Sequence, residues 1–79
     1  AGGPFSVPGA ERIDSLNARL GTSLASEHFD TIAGYLMERA GEIPAVGFSA
    51  EDPPWRFTVE SRTGNRIDAV RAERLGGKP

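Results

Sequence analysis

Seventy-nine residues confine the chain to one small domain, and ten of its thirty apolar residues are alanine, so about twenty large side chains must build the whole core. A core that thin leaves little room for a deep, self-contained active site. Nine Lys+Arg against eleven Asp+Glu give a net charge of −2, without the basic excess of a nucleic-acid module, and the absence of cysteine excludes disulfide staples, thiol catalysis and Cys-type zinc sites.

Phe5-Ser6-Val7 alternates apolar and polar and then meets Pro8-Gly9, which predicts a short first strand ended by a turn. Ile13, Leu16 and Leu20 recur at helical spacing, and Gly21 follows as a left-handed stop, so a helix is expected over residues 11–20. Residues 22–25 form a connector that contributes Leu24 to the core. Ser26 is the expected N-cap of a second helix, with Glu27 in its first turn. Phe29, Ile32, Ala33, Leu36, Met37 and Ala40 form its apolar stripe, and Gly41 ends it. Gly34 inside that helix costs about 1 kcal/mol relative to alanine and therefore marks a close approach of another backbone. Pro44 forbids helix, so the chain runs extended past it with Ile43 and Val46 as anchors.

The last third predicts a hairpin turning at Gly64-Asn65. That turn sets Val59 opposite Val70, Phe57 opposite Ala72 and Arg56 opposite Glu73. Trp55, Phe57, Val59, Val70 and Ala72 then share one face, with Thr58 and Arg71 on the other. Ile67 falls on the wrong face for simple alternation, and a bulge near Asp68-Ala69 would restore it. The order strand, helix, helix, extended segment, hairpin is an α+β domain: two short helices packed on a small antiparallel sheet.

Candidate chemistry is sparse. His28 is the single histidine, and no acid lies three or four residues away on a shared helical face, so an exposed polar role is expected. Glu51-Asp52 before Pro53-Pro54 reads as a solvated loop, since adjacent carboxylates diverge and a divalent cation needs about six oxygens. Arg62, Arg66, Arg71 and Arg74 are interleaved with Glu60, Asp68 and Glu73, which predicts cross-strand ion pairing on a wet face. Trp55 and Phe57 point into the core at strand spacing, so they are no base-stacking platform. There is no glycine-rich phosphate loop and no G-x-S-x-G elbow. No catalytic residue and no metal ligand is assigned, no cofactor is expected, and an enzyme is the disfavoured class.

The N-terminus lacks the basic and apolar regions of a signal peptide, and no apolar run approaches the ~18 residues of a membrane span. Without cysteine staples a reducing, cytosolic setting is favoured. Residues 1–4 read as a cloning remnant or linker, 5–75 as the domain and 76–79 as a tail, all cut from something longer.

Taken in order, Val7-x-Gly9, Ile13-Asp14-x-Leu16-Asn17, Leu20-Gly21, Phe29-Asp30-Thr31-Ile32-Ala33-Gly34, Gly41-x-Ile43-Pro44-x-Val46-Gly47, Arg56-Phe57-x-Val59 and Arg66-Ile67-x-x-Val70-Arg71 resemble the CorC/HlyC transporter-associated domain. The likeness runs over residues 5–75. Two departures stand out: the family usually has a further strand ahead of Val7-x-Gly9, and residues 48–54 here are acidic and proline-rich. The resemblance implies a fold like a subdomain of the flavin-binding superfamily typified by p-cresol methylhydroxylase. It further implies a non-catalytic C-terminal accessory domain on the cytoplasmic side of a membrane protein, following CBS domains, in magnesium and cobalt efflux or hemolysin-like proteins. Its partners would be the CBS and transmembrane domains of the parent chain, with homodimerisation through sheet edges also open; neither nucleic acid nor direct membrane insertion is expected. Two other readings stay open at this level: a flavin- or nucleotide-binding sensor, and direct binding of a divalent metal.

Overall fold

The hairpin dominates the molecule. In a computed structural model that describes residues 4–26 and 28–75, β3 (Trp55–Thr63) and β4 (Arg66–Arg74) turn at Gly64-Asn65 with Val59 opposite Val70, Phe57 opposite Ala72 and Arg56 opposite Glu73. The expectations placed on residues 1–3, Glu27 and 76–79 lie outside the described residues. The register shifts twice, on either side of Ser61, which faces Ala69. Glu60 is the extra residue on β3 and Asp68 the extra residue on β4, so the two bulges cancel and the turn keeps its register. The bulge at Asp68 brings Ile67 to the inner face, where it is buried.

β1 (Phe5–Pro8) pairs antiparallel with β4, and β2 (Ser49–Asp52) with β3, giving one four-stranded sheet in the order β1-β4-β3-β2. The acidic, proline-rich stretch expected to be a loop therefore contains an edge strand. Its sequence hides this because only one side chain, Ala50, turns into the core, while Ser49 and Glu51 face solvent. Asp52 leads into the turn at Pro53-Pro54, a cis peptide bond.

The helices α1 (Ile13–Leu20) and α2 (Ile32–Ala40) cover one face of this sheet. Both end where glycine predicted, Gly21 and Gly41 being left-handed with their N–H groups bonded to Asn17 and Met37 carbonyls. Their starts differ from the sequence reading. Residues 11–13 are zipped to residues 30–32: Ile13 N–H donates to Asp30 O at 2.8 Å, Ile32 N–H to Glu11 O at 2.9 Å, and Arg12 bridges Thr31. This pairing holds 11 and 12 extended, so α1 starts at Ile13 rather than at 11. It also moves the cap of α2 from Ser26 to Thr31, whose hydroxyl accepts from Gly34 N–H. Ser26 still caps a local turn by accepting from Phe29 N–H at 3.2 Å, but the chain cannot continue as helix into the bridge.

Phe29 consequently lies outside α2, 39% exposed, with its side chain laid over Gly34. The close neighbour of Gly34 is thus a side chain and not a backbone. Ile43 and Val46 are also corrected: they are exposed, and the buried residue of that segment is Pro44. The segment is held through its backbone, since Arg62 Nη1 donates to Pro44 O at 2.8 Å and Gly47 N–H to Val59 O at 2.9 Å, so side-chain anchors are not needed.

Asn17 organises the connector between the helices. Its amide donates to Leu24 O at 3.0 Å and accepts from Leu24 N–H at 2.9 Å and from the Thr22 hydroxyl at 2.7 Å. The side chain thereby substitutes for a paired strand and sets Leu24 into the core, as the sequence reading required. Asn17→Ala is expected to cost about 1–3 kcal/mol, because two backbone groups of a half-buried turn lose their partner at once. Urea unfolding measures this, and an unchanged midpoint would remove Asn17 from the account.

Candidate functional site

The inner face of the sheet is filled by the protein's own side chains. Phe57 is fully buried and meets Tyr35 edge-on at 6.5 Å, and Trp55 meets Phe5 edge-on at 6.0 Å. The two aromatic residues of β3 are core, as read. The Trp55 indole N–H is buried without a hydrogen-bond partner among the described residues, while Arg74 stacks over the ring at 6.0 Å.

The sequence-selected polar residues do not converge. His28 is exposed in the loop before α2, with its ring edge-on to Phe29. Glu51 and Asp52 are consecutive on β2 and so point to opposite sides; Glu51 pairs with Arg56 at 3.0 Å. Among the described residues, the hairpin arginines are not joined by the cross-strand ion pairs expected of them. Arg66 pairs with Asp68 on its own strand at 2.9 Å, Arg62 bonds backbone carbonyls, and Arg74 stacks on Trp55. The reason is the pair of bulges, which turns Glu60 and Asp68 out of simple alternation. Thr63 donates to the Asp68 carboxylate, and this bond, with Arg66, holds its pKa below the ordinary value despite some desolvation.

Two concavities stand out among the described residues. The larger, about 230 Å³, lies between the start of α1 and the segment before α2, and is lined by Ile13, Asp14, Leu24, Ser26, Phe29 and Asp30 among others. Asp14 there pairs with Arg12 at 3.6 Å. The smaller, about 130 Å³, is a dent on the helix-free face where Ser6, Glu60 and Arg71 meet. Among the described residues no three or more His, Asp or Glu side chains group as a metal site, and no helix is long and apolar enough to cross a membrane. What remains is surface: an open, polar sheet face and two strand edges.

Sequence reasoning missed the cleft at Asp14 and Asp30. Both acids sit in motifs noted above, but their approach depends on the bridge between Arg12 and Thr31, which has no local signal. It also missed Tyr35, the chain's single tyrosine. Its buried hydroxyl accepts from Arg39 Nη1 at 3.0 Å. Burial raises its pKa above 10.0; Arg39 opposes this and Asp52 adds to it. The folded state thus favours the protonated phenol, so its contribution to stability is complete below the unfolded pKa and is lost as pH rises through the folded one. Alkaline titration of the phenolate absorbance is expected to give a midpoint above that of the urea-unfolded chain. Coincident midpoints would contradict the placement.

The sequence model of the CorC_HlyC family, described as a transporter associated domain, matches residues 1–76. The chain is 30% identical over 66 residues to the magnesium and cobalt efflux protein CorC of Vibrio cholerae, covering 84% of this chain and 23% of that protein. It therefore spans about a quarter of that curated relative. A hemolysin domain from Enterococcus faecalis superposes with a TM-score of 0.85 at 32% identity, covering 95% of this chain and 92% of that one. The transporter associated domain of a Xylella fastidiosa hemolysin, solved in complex with Mg²⁺ and Mn²⁺, gives 0.81 at 32% identity, over 91% and 87%.

Proposed function

The chain belongs to the CorC_HlyC family of transporter associated domains, and we propose that it is the non-catalytic accessory domain of a membrane ion transporter, modulating transport through contacts with the rest of that protein. The observation that carries this reading is the match of residues 1–76 to the family model, together with a 66-residue alignment that covers 23% of a magnesium and cobalt efflux protein. A closed core, dispersed polar residues and an open sheet face suit a domain that works by touching its neighbours. On this reading the domain lies at the cytoplasmic face of the membrane, after CBS domains, and those domains together with the membrane part are its partners. The helix-on-sheet layering is consistent with descent from the flavin-binding superfamily typified by p-cresol methylhydroxylase.

The test is deletion of residues 5–75 from the full-length parent, followed by Mg²⁺ and Co²⁺ efflux measurements in cells. The expected result is a parent that still inserts into the membrane but transports with an altered rate or altered dependence on internal metal. Unchanged efflux at equal expression would overturn the reading. A second reading, direct binding of a divalent ion, is favoured by the Mg²⁺ and Mn²⁺ complex of the Xylella domain. Calorimetry of this chain with Mg²⁺ and Mn²⁺ separates the two, since a native-state ligand must also raise the melting temperature.

A further inference from the structure

The two edges of the sheet are not equivalent. In an antiparallel sheet alternate residues of an edge strand turn their N–H and C=O toward the neighbour, and the others turn outward. Gly9 N–H donates to Asp68 O at 2.9 Å, which fixes the alternation on β1: Phe5 and Val7 bond β4, while positions 4, 6 and 8 face outward. Those positions are Pro4, Ser6 and Pro8, so the outer edge of β1 offers a single N–H, that of Ser6. Prolines spaced in this way block strand addition.

On the opposite edge, Val59 N–H donates to Phe48 O at 2.9 Å, so positions 48, 50 and 52 face β3 and positions 49 and 51 face outward. Ser49 and Glu51 each present an N–H and a C=O there, with no proline between them. The geometry points to β2 as the edge that accepts an added strand, and to a second copy of this chain as its occupant. Two β2 strands related by a two-fold axis through Ala50 place Ser49 opposite Glu51 of the other copy, and Glu51 opposite Ser49. All four outward N–H groups then find an outward C=O. Ala50 meets its own mate at the non-hydrogen-bonded position, where small side chains allow the closest approach. Each Glu51 lies directly opposite a serine hydroxyl rather than another carboxylate, and Arg56 at 3.0 Å already balances its charge. The result is one continuous eight-stranded sheet. A four-residue contact is well below the ~1,200 Å² of a standard interface, so the dimer is weak and concentration-dependent.

The experiment is amide hydrogen exchange with sedimentation on this chain, from about 10 μM to about 1 mM. Association is expected to rise over that range, with exchange at Ser49 and Glu51 slowing about tenfold while Ser6 is unchanged. Glu51→Pro removes one outward N–H and leaves the bonds to β3 intact, so it should stay monomeric, whereas Ser6→Pro should associate like the parent. A monomer at every concentration overturns the proposal, as does a dimer whose slowed amides lie on β1 or on the open face. If Glu51→Pro loses its far-ultraviolet circular dichroism, the exchange pattern of the unaltered chain decides alone. None of these outcomes depends on the efflux reading.

Discussion

Gly9→Ala is expected to remove a large part of the stability of this domain. A Cβ at position 9 would lie 2.0 Å from the Ile67 carbonyl oxygen and 3.3 Å from the Ala33 Cβ. The obstacle is backbone, so no rotamer change can relieve it. Nor can residue 9 retreat, because its N–H donates to Asp68 O at 2.9 Å and its C=O accepts from Ala33 N–H at 3.0 Å. Gly9 is thus the point where the end of β1, the bulged part of β4 and the first turn of α2 meet without side chains between them. Overpacking costs about 1–3 kcal/mol, and a shift that breaks both hydrogen bonds adds about 1 kcal/mol for each. The sum, about 3–5 kcal/mol, compares with a total of about 4–12 kcal/mol for a chain of this length. Gly34→Ala makes a useful contrast. There the Cβ would lie 2.2 Å from Phe29 Cβ, an atom that no rotamer change moves, so the loop carrying the 39% exposed Phe29 has to shift rather than a strand of the sheet. Urea denaturation should rank Gly9→Ala well below Gly34→Ala. The reverse order, or a Gly9→Ala midpoint equal to the parent, would show that the close approach does not matter.

Phe57→Ala is expected to cost about 3–5 kcal/mol, the range for deleting a fully buried aromatic side chain. Its position makes the upper part of that range the fitting one. Phe57 is fully buried on a central strand, and its register partners on both sides are alanines, Ala50 on β2 and Ala72 on β4. One ring therefore fills the space left by two small neighbours, and neither register partner is long enough to refill it. The edge-on contact with Tyr35 at 6.5 Å is lost as well, which loosens α2 from the sheet. Phe57→Leu keeps most of the volume and should cost under about 1.5 kcal/mol. A Phe57→Ala loss no larger than that of Phe57→Leu would mean that the core closes over the cavity.

The hairpin was legible because its determinants are local. Gly64-Asn65 specifies the turn, and once the turn is placed a period of two decides which of Trp55, Phe57, Val59, Val70 and Ala72 face inward. Even the bulge at Asp68 was readable, since Ile67 has to be buried and only an extra residue brings it round. Helix ends were legible for the same reason: Gly21 and Gly41 stop their helices through their own backbone freedom. The family likeness was carried by such local pieces in a fixed order.

The misplaced features share a different origin. The start of α2 moved from Ser26 to Thr31 because residues 11–13 bond residues 30–32, a pairing across some twenty residues that neither segment announces. β2 escaped notice because an edge strand buries one side chain, Ala50, and its polar remainder looks like loop. Hydrophobicity marks Ile43 and Val46 as anchors, whereas Arg62 holds that segment by the carbonyls of Ile43 and Pro44. The approach of Asp14 and Asp30 in one cleft follows from the same bridge. Composition, turn chemistry and periodicity by themselves determined the class of the domain, its thin core and its hairpin register, because each depends on composition or on residues close in sequence. Where the helices begin, which strands form the edges and which of those edges is open were decided only in the folded molecule. Those features rest on hydrogen bonds between distant backbone segments, and a backbone amide carries no residue type from which its partner can be read.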